Sequence, residues 1–198
     1  MNRTARRALA DAVLAEVYAL IPEIACQGLC HATCTVVGMS DRERERIRVE
    51  GGVDYPDVRP GDFQDLLLKT PVCPALTPDN RCAVYELRPV VCRVWGTAVG
   101  MRCPHGCEPA RLLDPVEKLE LLIRAWEAGG QHGGRYTGVP SSEIRAFLAA
   151  HPLAAAGLAA SDRGGELGDI ATAFVGVLTR QPLINALFPK PGEKYGRY

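Results

Sequence analysis

All eight cysteines of this chain fall between Cys26 and Cys107, and the 91 residues that follow contain none. They come in three groups: "CQGLCHATC" (26–34), "CPALTPDNRCAVYELRPVVC" (73–92) and "CPHGC" (103–107). An even number of cysteines in a secreted mini-protein signals disulfides, whereas clustered cysteines in a reducing compartment signal metal. The N-terminus has a basic start and an apolar stretch, but Asp11 and Glu16 interrupt it, which is unlike a secretory leader. No stretch reaches the eighteen or so apolar residues of a membrane span. The chain is therefore expected in the cytoplasm, with its thiols free to ligate.

Thiolates are soft, anionic ligands suited to zinc and to iron–sulfur clusters. Zinc modules usually carry two C-x2-C knuckles, and this chain has none. Irregular spacing favours iron–sulfur, so one or two 4Fe–4S clusters are expected, with zinc as the alternative. The candidate ligands are Cys26, Cys30, Cys34, Cys73, Cys82, Cys92, Cys103 and Cys107. Their partition between sites is open at this stage. His31 and His105 lie inside cysteine motifs and read as ordinary loop histidines. On a straight helix Cys26 and Cys34 would stand about 12 Å apart, so this segment is expected to leave the helix at Gly28. Pro104 and Gly106 suggest a tight loop that lets Cys103 and Cys107 approach a common centre. Arg81, Arg88, Arg93 and Arg102 stand beside cysteines, where a cation lowers thiol pKa and balances thiolate charge.

The rest of the chain reads as mainly α, with irregular cysteine-rich loops, several packed helices and little β. Residues 4–24 form a first helix with an apolar stripe at Leu9, Val13, Val17, Leu20 and Ile24. Ser40 and Glu43 make a capping box for a second helix, whose charged run from Asp41 to Arg48 reads as a solvated face. Gly51-Gly52 suggests a small hairpin. Asp114 caps a third helix with Pro115 at its first position, and Val116, Leu119, Leu122, Ile123 and Trp126 form its apolar face. Further helices are expected from Ser141 and over 166–180. The whole is expected to be one domain, with a metal-binding region over 26–107 and a helical region over 112–185.

The motif C-P-A-L, followed by C-A-V-Y-E-L-R-P-V-V-C-R-V-W, resembles the signature of the YkgJ-type cysteine-rich family of zinc- or iron-chelating domains. The matching positions are Cys73, Pro74, Leu76, Cys82, Val84, Tyr85, Arg88, Pro89, Cys92, Arg93 and Trp95. The resemblance implies metal binding; a flagellin lysine N-methylase group is similar in carrying this kind of domain. The family's first segment is usually a C-x2-C-x2-C-C run, whereas this chain has C-x3-C-x3-C. Either a ligand has moved to Cys103 or Cys107, or the first site differs. "GGEL" at 164–167 is similar to a motif of radical S-adenosylmethionine enzymes, but it lies far from the cysteines and the alternating strands of a barrel are missing.

Two functions follow. One is an iron–sulfur-dependent oxidoreductase or methyltransferase-like enzyme acting on a small-molecule or protein substrate, with Tyr85, Arg88, Arg93 and His105 as candidate contacts. The other is a zinc-binding structural or interaction module without catalysis. The 23 basic and 23 acidic residues balance, so neither nucleic acid nor a membrane is an expected partner.

Overall fold

The computed structural model describes residues 2–57, 72–130 and 141–150. The chain divides into two compact units, Met1–Gln131 and His132–Tyr198. The first unit holds α1 (Arg3–Ala19), α2 (Asp41–Glu50), the one-turn α3 (Val90–Arg93) and α4 (Pro115–Ala128). Short 3-10 turns run over Cys30–Thr33 and Tyr85–Leu87. In the second unit the described element is α5 (Ser141–Ala150), where Ser141 and Ile144 are buried. The expected helix over 166–180 and the "GGEL" segment lie outside the described residues. The described architecture is mainly α, and its β-structure is limited to isolated bridges.

Local chemistry accounts for where the helices start. The Asn2 side chain accepts the Ala5 N–H at 2.8 Å and opens α1. Ser40 caps α2 through the full capping box, and Asp114 caps α4 in the same way, with Pro115 at the first position. The α1 helix ends at Ala19, five residues short of the expected 24. Its buried positions are Ala10, Leu14 and Val17, with Ile21 just beyond the end. The expected stripe is thus rotated: Leu9 and Leu20 are exposed, and Val13 is only partly buried. In α4 the buried positions are Leu121, Ile123 and Ala125; of the other expected face residues, Leu122 packs partly against them.

Two apolar cores organise the first unit. The larger joins α1, α3 and α4: Leu14, Val17 and Ile21 meet Val90 and Val94 and, from the far side, Leu121 and Ala125. Ala98 and Leu113, paired across a parallel bridge, complete it. The smaller core holds Met39, Ile47, Tyr55, Ala75 and Val84, and Cys73 and Cys82 pack partly against it.

The charged run of α2 differs from the solvated face expected of it. Glu43 and Ile47 are buried. Glu43 Oε2 accepts from the Ser40 N–H and hydroxyl, both at 2.9 Å, and Oε1 accepts from the Tyr18 hydroxyl at 3.1 Å and the Val90 N–H at 2.7 Å. A buried carboxylate is tolerable because every lone pair has a donor. The hairpin expected at Gly51-Gly52 is replaced by a helix end in which Gly51 donates its N–H to the Ile47 carbonyl. A Cβ at Gly51 would stand 2.5 Å from Val84 Cγ1, so glycine there admits the smaller core.

Candidate metal centre

All eight cysteines are partly buried and none is bridged to another. Three local devices bring them together. The first is a backbone pairing between distant segments: Thr35 and Val72 form an antiparallel bridge, and Cys73 donates its N–H to the Cys34 carbonyl at 3.2 Å. The second is a tight loop over 75–83. Leu76 and Cys82 pair across it, Ala83 donates to the Ala75 carbonyl at 2.8 Å, and Asn80 takes the left-handed backbone at φ 62°. Pro78-Asp79-Asn80 is the sequence signal for that turn, and sequence reasoning passed it over. The third is the return from α3: Gly96 bridges to Arg102, and a Cβ at Gly96 would stand 3.6 Å from Cys103 Cβ and 2.9 Å from Ile24 Cδ1. That places Cys103 beside the segment leading into Cys26.

The charges of the thiols act on one another across the three segments. Cys34 feels Cys73 first among the thiols, and Cys92 feels Cys73 and then Cys82. Tyr55, whose hydroxyl shares a hydrogen bond with the Cys73 thiol, feels Cys73, Cys92 and Cys82 together. Cys30 feels Cys26 and then Cys103, and Cys107 helps to lower Cys103. Cys30 in turn acts on Cys34. Among the described residues, no three His, Cys, Asp or Glu side chains converge tightly enough to enclose a single ion. The thiols are neighbours rather than assembled coordination shells.

Their protonation follows from burial and mutual repulsion. Burial pushes the Cys92 thiol up to about 12, with the Cys73 charge adding to it. Burial likewise raises Cys30, Cys34 and Cys82, with neighbouring thiols adding in each case. Cys103 goes the other way, because the backbone N–H of His105 and then that of Cys107 donate to its sulfur. The Gly28 N–H donates to Cys26 Sγ at 3.4 Å, and the Val84 N–H donates to the Cys82 sulfur. At Cys82 and Cys103 such a donor two residues downstream favours the thiolate. Gly28 at φ 70° and Gly106 at φ 77° set the turns after Cys26 and Cys103. The tight "CPHGC" loop is present, and the Cys26–Cys34 segment is free of α-helix as expected, although α1 has already ended at Ala19, ahead of Gly28.

Of the four arginines read beside cysteines, Arg88 fits that part. Its charge acts on Cys30, Cys34, Cys82 and Cys92, and its guanidinium lies 3.5 Å over the Tyr85 ring. The balance is partial, since each of those thiols stays raised despite it. Arg93 is otherwise engaged: its Nε donates to the Arg88 carbonyl at 2.7 Å, a terminal nitrogen donates to the Glu86 carbonyl, and its guanidinium lies 4.3 Å from the centre of the Tyr18 ring. It braces the loop before α3 instead of neutralising sulfur. His105 and Tyr85 are exposed, as is Trp95. The residue sequence reasoning missed is Glu43, which acts electrostatically on Cys92 and holds the first N–H of the helix that carries it.

No protein-family profile, no curated protein and no solved structure matches the chain. Among the described residues no helix is long and apolar enough to cross a membrane.

Proposed function

We propose that the protein binds metal through its eight cysteines, carrying one or two iron–sulfur clusters. The observation that supports this reading is the gathering of unbridged thiols from three sequence segments, with backbone N–H groups turned onto their sulfurs. Burial first and neighbouring thiols next hold Cys30, Cys34, Cys82 and Cys92 towards the protonated form, with Arg88 offsetting part of this; a bound metal would supply the cation that several thiolates together require. The donor set therefore fits thiolate-ligated metal, and the absence of C-x2-C knuckles favours iron–sulfur over zinc. The resemblance carried by Cys73, Cys82, Arg88 and Cys92 agrees with it. Thiols that must stay reduced suit the cytoplasm.

A cluster so held supplies electron transfer or a Lewis-acidic iron for group transfer on a small-molecule or protein substrate. Tyr85 and Arg88, stacked at the edge of the thiols, are the side chains we assign to contact such a substrate. The test is anaerobic purification of the full chain, followed by an absorption spectrum and iron, zinc and acid-labile sulfide per chain. Brown protein absorbing near ~400 nm with sulfide is expected. Colourless protein with stoichiometric zinc would assign the zinc module in its place, and protein free of any metal would end the reading altogether.

A further inference from the structure

We propose that Cys34 and Cys73 are a redox pair, closed into a disulfide by a small-molecule disulfide such as oxidised glutathione, and that the closed bridge locks the smaller core. The inference needs no metal and stands apart from the metal-binding reading.

The backbone places the pair. Thr35 and Val72 form an antiparallel bridge, and one residue along from it on both segments Cys34 faces Cys73. Cys73 donates its N–H to the Cys34 carbonyl at 3.2 Å, a bond between residues that stand opposite each other. Cys34 has extended backbone and gives its own N–H to the His31 carbonyl at 3.0 Å. Opposite residues of an antiparallel pair direct their side chains to one face. When joined by backbone hydrogen bonds their Cα atoms stand about 5.5 Å apart, inside the span of about 4.4–6.8 Å that a disulfide requires. The other bridges among the described residues pair Leu76 with Cys82, Gly96 with Arg102 and Ala98 with Leu113, so none of them sets one cysteine against another.

Both cysteines are free and only partly buried, within reach of a small oxidant. On the core side the Tyr55 hydroxyl shares a hydrogen bond with the Cys73 sulfur, which ties that sulfur to a buried side chain. The loop that the bridge closes, 34–73, carries Met39, Ile47 and Tyr55 of the smaller core, with Ala75 and Val84 beyond it. Cross-linking its ends restricts the unfolded chain and so favours the folded core. The chemistry is thiol–disulfide exchange. One protein thiolate attacks a glutathione disulfide sulfur and expels the first glutathione thiol. The second protein thiolate then attacks the mixed disulfide at the protein sulfur and expels the other. The pair gives up two electrons and two protons, and these leave in the two glutathione thiols. A bridged sulfur has no thiolate to give to metal, so closure also releases any metal held by these two.

The experiment equilibrates the full-length protein, as purified and with its iron and zinc content already measured, in glutathione buffers of increasing oxidised fraction. Remaining thiols are alkylated and the linkages mapped by mass spectrometry of a non-reduced digest. The peptides of Cys34 and Cys73 are expected joined to each other, with metal, where present, released as the link forms. Cys34→Ser should leave Cys73 as a glutathione adduct, and Cys103→Ser should leave the Cys34–Cys73 link unchanged. In denaturant the preference for this pair should vanish, because the fold sets it. Hydrogen-exchange protection at Ile47 should rise about tenfold in the oxidised protein while Leu14 keeps its own. The redox pair would be overturned by Cys34 and Cys73 remaining free at the most oxidising ratio, by Cys73 joined equally to Cys82 or Cys92, or by the same preference in denaturant. A link that forms without added protection at Ile47 would overturn the lock. Protein purified without metal would end the metal-binding reading and leave this test intact.

Discussion

The two apolar cores of the first unit differ in what closes them. The larger is hydrocarbon throughout, with nine buried residues from three helices and the bridged pair Ala98 and Leu113. The smaller has five, one of them a tyrosine tied to a thiol, and Cys73 and Cys82 stand in its margin beside Val37, Val53 and Leu87. Burying a Leu or Val side chain contributes about 1.5–3 kcal/mol, so the first core stabilises its helices unaided. The second has too few such groups to order the irregular 72–93 segment against its chain entropy. What the difference teaches is that thiols stand at the margin of one core where hydrocarbon closes the other, and the metal we propose would bridge those thiols.

The largest expected effect separates the cores directly. Stripping metal under reducing conditions, or replacing Cys92 with alanine, should cost soluble yield and melt residues 72–93. Structural metal sites contribute on the order of 10 kcal/mol to folding. Hydrogen exchange should show protection falling at least tenfold at Ala83 and Val84 while Leu14 and Leu121 keep theirs. Equal loss in both places would show that the cores are a single cooperative body.

Next in size is Glu43→Ala, which leaves the Val90 N–H and the Tyr18 hydroxyl, both at the larger core, without their acceptor on α2. Each orphaned buried donor costs about 1–3 kcal/mol, so a loss of about 3 kcal/mol is expected by chemical denaturation. Because the carboxylate joins the two halves, this variant should lower both together. Gly51→Ala should cost about 1–3 kcal/mol through overpacking, since the new Cβ would meet Val84 Cγ1 at 2.5 Å and the Ile47 carbonyl oxygen at 2.8 Å. That loss should appear at the smaller core alone.

The smallest effect concerns acid. Burial by itself would raise the Glu45 carboxyl, but hydrogen bonds from Arg42 and Arg7 outweigh it and hold the group below its usual value. A carboxyl depressed in the folded state binds fewer protons there than in the unfolded chain, so its contribution is complete above about pH 4.5 and fades as pH falls further. About 1 kcal/mol or less is at stake. Glu45→Gln should flatten the acid limb of a stability-against-pH curve, and an unchanged limb would show that the α1–α2 ion network is without weight.

Much of the fold was legible from local chemistry. The capping boxes at Ser40 and Asp114 announced two helices, because their partners lie three residues away. What eluded the sequence depends on distant partners. Leu9 and Leu20 lie one residue from Ala10 and Ile21, and only the position of α4 decides which stripe is buried. Glu43 looks like its charged neighbours until Val90, 47 residues on, presents its N–H. The cysteines declared their chemistry by type and crowding, but which thiol faces which required the Cys34–Cys73 pairing and the fold of 75–83.

Glu43 has a mechanical consequence. The route from the α1 phenol through its carboxylate to the Val90 amide contains no long, freely rotating side chain, and Cys92 lies two residues beyond. The one carboxylate oxygen therefore ties the first helix to the start of the turn that carries Cys92, and displacing that helix would strain both hydrogen bonds.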